Sequence, residues 1–176
     1  DQSTGAAAIS WNASEGGVMQ ITGTGAGYGW AEQSITVGAG DQAKVHVVRF
    51  RISGAAGVKL TVQVGIASLG YGLFQASNFG VGYHTVEFTP GTTPIFLQFI
   101  NKDNRSLFLD DVEFLTGVPL EITSPYTTGT VDDLRIARSN DVLYLFHDSF
   151  QPYELRRNGT RSWSLQKFFF EDGPWQ

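Results

Sequence analysis

The sequence predicts an all-β protein: an antiparallel β-sandwich over residues 1–117, then a partial second β-domain over residues 118–176. Three observations predict it. Short runs rich in Val, Ile, Phe and Thr alternate apolar and polar side chains with a period of two, as half-buried strands do. Glycine clusters fall between those runs at intervals of about ten residues, where turns belong. No segment before residue 117 carries a helical period, which argues against alternating strand–helix units.

In chain order, "KVHVVRFRI" sends Val48, Phe50 and Ile52 one way and Val47, Arg49 and Arg51 the other. "VKLTVQVGIA", "HTVEF", "IFLQFI" and "LFLDDVEF" keep the same period, with turns at "SEGG", "GTGAGYG", "VGAGD", "SGAAG", "SLGYG" and "NFGVGY". About eight or nine strands in two sheets are expected from this pattern. At "TGVPLEITSPY" the texture changes, with Gly117, Pro119 and Pro125 as breaks. "TGTVDDLRIARS" reads as a short helical turn with Thr130 as N-cap and Asp132 and Asp133 near its positive end. "DVLYLF", "YELRR" and "SWSLQKFFF" then read as strands, too few to close a domain of their own. The closing "EDGPWQ" has turn chemistry, so the sequence is expected to be a segment of a longer polypeptide.

The chain has 176 residues, 41% hydrophobic and 13% aromatic, which is enough for a packed core. Its net charge of −5 is spread evenly, with six basic and nine acidic side chains in residues 1–117 and six and eight after them. Neither part has the electropositive footprint of a nucleic-acid-binding surface. With no cysteine, disulfides and thiolate metal sites are excluded. No apolar run approaches the ~20 residues that span a bilayer as a helix.

The stretches "GVMQITGTGAGYGWAEQSITV", "VVRFRISG" and "LFLDDVEFL" resemble the jelly-roll carbohydrate-binding modules that accompany glycoside hydrolases. The resemblance covers about residues 5–116 and implies a jelly roll whose closing Asp110-Asp111 supports a structural calcium. The family's Asn-x-Gly-Phe-Glu opening is replaced here by "AAAISWNASEGG". The last third, from "ITSPYTTGTVDDLRIARSNDVLYLFHDSF" to "DGPW", resembles a segment of tailed-bacteriophage tail tubular, nozzle or stabilisation proteins. It carries their ordered Pro-Tyr-Thr, Asp-Leu, Asp-Val…His, aromatic-Pro, Leu-Arg, Trp-x-Leu and Asp-Gly-Pro positions. That resemblance implies a structural, non-enzymatic virion component made in the bacterial host cytoplasm. It would assemble with other tail proteins and copies of itself in a ring, the jelly roll projecting outward. The alternative is a module that recognises host surface polysaccharide; a depolymerase fragment is the third reading.

Sugar binding asks for exposed aromatic faces with amides beside them. Tyr28, Trp30, Tyr71, Phe74 and Tyr83 lie in glycine-rich stretches or at strand ends, with Asn78 and Gln75 as hydrogen-bonding companions; each aromatic is equally a candidate for the core. Asp110 and Asp111 are the candidate calcium ligands, with Asp103 a weaker one. Tyr126, Arg156, Arg157 and Trp163 are the candidate subunit or scaffold contacts, one arginine packing over Trp163 or Tyr153 or pairing with Asp141. His147-Asp148 is not a catalytic pair, because adjacent strand residues point to opposite faces. His147 is read as capping a strand end. "GTGAGYG" fails the dinucleotide-loop pattern and is read as a turn.

Overall fold

The computed structural model describes residues 17–24, 27–118, 120–159 and 162–169, and the backbone of residues 8–12. Among the described residues the alternation seen in the sequence is realised as thirteen strands. Nine precede residue 117: β1 (Ala8–Asn12), β2 (Val18–Thr22), β3 (Gly29–Ile35), β4 (His46–Gly54), β5 (Leu60–Gly65), β6 (Phe74–Phe79), β7 (Gly82–Phe88), β8 (Ile95–Asn101) and β9 (Leu107–Thr116). Four follow: β10 (Arg135–Ser139), β11 (Val142–His147), β12 (Phe150–Gly159) and β13 (Ser162–Lys167).

The smaller sheet has the order β3-β8-β5-β6, and the larger begins β1-β2-β9-β4-β7. Successive strands from β2 to β5 change sheet at each step, and β7, β8 and β9 do so again. This is jelly-roll topology, and every pairing is antiparallel. The core between the sheets collects Val48, Phe50 and Ile52 of β4, Val62 and Val64 of β5, Val86 and Phe88 of β7, and Leu97 and Phe99 of β8. These are the apolar members of each alternating run, which is why a period of two specifies the layer.

Beyond β7 the larger sheet continues as β13-β12-β11-β10. The join is β13 against β7, with Leu165 opposite Tyr83 and Gln166 opposite Gly82. Gly82 sits at φ 149°, and a Cβ there would lie 2.2 Å from the Leu165 carbonyl oxygen. Only glycine allows the two backbones to meet so closely.

The meander has its own small core on the face of the sheet turned away from the sandwich: Leu145, Tyr153 and Leu165, packed by Ile122, Tyr126, Leu134, Leu143 and Leu155. Its roof is the irregular segment after residue 117. Glu121 pins it, its carbonyl accepting from Thr85 Oγ1 at 2.6 Å and its carboxylate meeting Arg49 Nη2 at 3.1 Å. A 3-10 turn forms at Val131–Asp133, but Thr130 does not cap it. The Thr130 hydroxyl instead accepts from the Thr127 N–H at 2.9 Å and donates to the Thr127 carbonyl at 3.2 Å. Its backbone is already in the right-handed helical region (φ −117°, ψ −15°), not the extended geometry that aims a cap forward. Among the described residues no helix is long and apolar enough to cross a membrane.

Candidate functional site

The face of the smaller sheet turned away from the core carries a set of polar and aromatic groups suited to a ligand. Side chains directly opposite in an antiparallel pair share a face. Glu32 of β3 lies opposite Gln98 of β8, Gln98 opposite Gln63 of β5, and Gln63 opposite Gln75 of β6. One carboxylate and three amides therefore form a row across all four strands. Their sequence neighbours Ala31, Leu97, Phe99, Val62, Val64, Phe74 and Ala76 belong to the core, which sends the row outward.

Two residues along, Trp30, Ile100 and Thr61 make the next row, and Thr61 Oγ1 donates to Ser77 Oγ at 3.0 Å. Tyr28 lies two residues before Trp30, 47% exposed, with Lys102 Nζ 5.2 Å from its ring centroid. In the other direction lie Ser34, Phe96 and Gly65.

The loop after β5 leans over the Gly65 end of this face. Glu32 accepts from Ser68 Oγ and from the Leu69 N–H, both at 2.9 Å. Gln98 Nε2 donates to the Gly70 carbonyl at 3.3 Å. The Gly70 carbonyl group sits 2.3 Å from where a Cβ on Gly65 would be, so this glycine lets the loop lie on the strand. Leu69 holds a left-handed φ of 60°, a conformation that costs a leucine energy and that the bond from Glu32 helps to hold. The loop buries Gln98 completely and leaves its Oε1 without a partner among the described residues, while Gln63 is half-buried and Gln75 exposed. Ile66, Leu69 and Tyr71 stand on the loop crest, each 59% exposed. Amides that both donate and accept, beside an indole and a phenol, suit a surface of hydroxyls and C–H groups.

Of the residues expected to bind glycan, the structure brings Tyr28, Trp30 and Gln75 to this face, with Tyr71 on the loop above it. Phe74 turns inward, because its partner across the pair is the core residue Val64, and it packs 6.3 Å from Phe79. Asn78 lies at the far end of β6, its carbonyl accepting from Gln166 Nε2 of the meander at 3.1 Å. Tyr83 belongs to the other sheet, opposite Arg51 and Leu165. Sequence reasoning missed Glu32, Gln63 and Gln98. Their signal was present as one Gln or Glu between apolar neighbours in "WAEQS", "TVQVG" and "FLQFI".

The remaining expected sites resolve into packing and ion pairs. Asp110 and Asp111, expected as calcium ligands, flank one guanidinium: Arg51 Nη2 meets Asp110 Oδ2, and Arg51 Nε meets Asp111 Oδ2 at 3.0 Å. A bulge in β9 makes this possible, with Asp111 at φ 50° and the register shifting between Arg49 and Arg51. Both carboxylates raise the Arg51 pKa against the desolvation that would lower it. Asp103 is held by Arg105, whose side-chain hydrogen bond leads the lowering of its pKa to about 2. Among the described residues, no group of three or more His, Asp or Glu side chains could hold a metal ion.

His147 closes the β11–β12 turn, its Nδ1 accepting from the Ser149 N–H at 3.0 Å. Arg157 packs over Trp163 at 6.0 Å, whereas Arg156 pairs with Glu154, an ion pair the sequence reading did not foresee. Tyr126 lies within the small core, edge-on to Phe150 and Tyr153; burial raises its pKa, and its hydroxyl has no partner among the described residues.

No protein-family profile matches the chain, and no curated protein does. Among solved structures, one described as "CBM4 structure and function" is 15% identical, with a TM-score of 0.44, over 62% of this chain and 77% of that one.

Proposed function

We propose that the chain is a recognition module that binds a carbohydrate on the outer face of the smaller sheet. The observation that carries this reading is the in-register row Glu32–Gln98–Gln63–Gln75 beside Trp30 and Tyr28. A sugar presents hydroxyls to the amides and a C–H face to the rings. Glu32 and Gln98 are engaged by the loop, so Gln63, Gln75, Trp30 and Tyr28 are the contacts. Calorimetry against a panel of neutral and bacterial surface polysaccharides tests it. Trp30→Ala should lower affinity about tenfold, or 1.4 kcal/mol, and Gln63→Ala should also weaken binding. Tyr83→Ala, on the other sheet, should leave affinity unchanged. Absence of binding across the panel, or binding indifferent to both face variants, rules the reading out.

A second reading, assembly of a virion tail ring from copies of this chain, is supported by the free edge of the larger sheet. All five residues of β10 are exposed, and Ile136, 60% exposed, lies opposite Leu145 of the small core. An apolar side chain on an unpaired edge invites another strand. Light scattering should then show oligomers that Ile136→Lys reduces to monomers; a monomer at high concentration counts against ring assembly through this edge.

A further inference from the structure

The sandwich is not closed along every side. In the smaller sheet β3 is an end strand, with β8 as its neighbour. In the larger sheet β2 pairs with β9 only from Leu107 to Leu109. Beyond Leu109, β9 keeps β4 on one side, and no described strand pairs with it on the other. Two strand edges therefore flank the space between the sheets.

The bulge at Asp111 decides what points into that space. Before it, Leu107 and Leu109 face the core. After it the phase shifts by one residue, so that Phe114 lies opposite the core residue Val48 and Val112 takes the other inner position. On β3, Ala31 and Ile35 pack on the core, so Gln33 between them also faces inward. In a closed sandwich both Val112 and Gln33 would be covered. Instead Val112 is 45% exposed, and Gln33 is exposed with its Nε2 turned back to the Ser34 carbonyl at 2.8 Å. Between the two edges lies a cleft of about 400 Å³, with Met19, Leu109, Val112 and Phe114 on one side and Ala31 and Leu97 on the other. That volume lies in the range of small-ligand sites.

We infer that this cleft binds an unbranched alkyl chain, entering end-on between the two edges with a neutral polar head left beside the Gln33 amide. Apart from Gln33, the side chains that face into the cleft are hydrocarbon or thioether. An inserted group finds no hydrogen bond there, and its affinity comes from apolar area removed from water. Sheets packed about 10 Å apart leave only a narrow slot between their side chains, and a flexible thioether adapts to a chain lying in it. Among the described residues lining the cleft there is no cation, and the only charge is Glu32, whose carboxylate is held by the loop on the other face of β3. A neutral head is therefore favoured over a carboxylate. The cleft lies on the inner face of the smaller sheet and does not depend on carbohydrate binding at the outer one.

The test is methyl NMR of the full chain titrated with the 1-alkanols from hexanol to decanol. Shifts should centre on Met19, Ala31, Leu97, Leu109 and Val112, and affinity should rise about fourfold per added methylene. Octanoate should bind more weakly than octanol, and cyclohexylmethanol more weakly than heptanol, which has as many carbons. Val112→Trp, at a half-exposed position, should fill the cleft and lower octanol affinity about tenfold with the melting temperature preserved. Gln33→Trp should do the same from the other edge, and stands in if the first variant fails to fold. Trp30→Ala, on the outer face of β3, should leave alkanol binding unchanged, which separates this site from the carbohydrate face. The inference is overturned if the cleft methyls do not shift, if Ile66 and Leu69 on the exposed loop shift in their place, or if both tryptophan variants bind octanol undiminished. Equal affinity for cyclohexylmethanol and heptanol overturns the unbranched chain, and equal affinity for octanoate and octanol overturns the neutral head. Shifts of the cleft methyls with protein concentration alone assign the cleft to a second copy and overturn the inference too.

Discussion

Phe50 in the sandwich and Leu165 in the meander are both 2% exposed, but they are buried by different means. Phe50 is enclosed by Phe79, Phe99 and His84 at 5.4, 5.2 and 5.1 Å, and Phe79 and Phe99 come from the opposite sheet. Leu165 lies under an irregular strap, in a cluster whose other buried members are Leu145 and Tyr153. Two sheets that interdigitate hold each other rigid, whereas a strap has few side chains to lose before it lifts. The strap is fixed at one point by Thr85 and Arg49, and the meander as a whole by the β13–β7 ladder. The meander thus borrows its order from the sandwich.

The largest test of that difference is a matched pair of truncations. Phe50→Ala should cost about 3–5 kcal/mol and lower a single transition that takes both parts with it. Leu165→Ala should cost about 2–3 kcal/mol, because a strap can settle into the space, and hydrogen exchange should quicken in β10–β13 alone. If Leu165→Ala loosens β4 and β7 equally, the two parts are one cooperative unit and the contrast fails.

A smaller effect comes from His84, which is buried beside Phe50 and Phe79, with Nε2 hydrogen-bonded to the Gly80 carbonyl at 2.7 Å. Burial is the main cause of its pKa falling from 6.5 to about 3, with the charge of Lys59 adding to it and the Gly80 carbonyl opposing it. A depressed pKa means that the unfolded chain takes up the proton first. Stability is full above about pH 6.5 and declines as the pH drops toward 3. Urea titrations across that window should show the decline, and His84→Phe should flatten it; an unchanged slope assigns it to the carboxylates.

The sandwich was legible because its information is local: each strand announces its inward face by parity, and glycines mark the turns. Arg157 over Trp163 was legible for the same reason, since a tight hairpin separates them by few residues. The amide row was not. Glu32 and Gln98 are ordinary polar alternates until the β3–β8 register sets them opposite each other. Phe74 was misplaced because the glycines before it hide the phase of β6, so sequence alone does not say whether Phe74 or Gln75 faces out. The Arg156–Glu154 pair was available by parity, two residues apart on one strand face, and was passed over in favour of more distant partners.

The fork of Arg51 on Asp110 and Asp111 bears on how the chain finds its fold. β4 and β9 pair across a long intervening stretch of sequence, and on apolar pattern alone many slipped alignments would look acceptable. A one-residue slip would separate the guanidinium from one carboxylate and reverse which side of β9 meets the core. The fork therefore acts as a proofreading mark, rewarding one alignment over its neighbours. A lysine at position 51 would keep the charge but not the fork, and misaligned folding intermediates should then live longer.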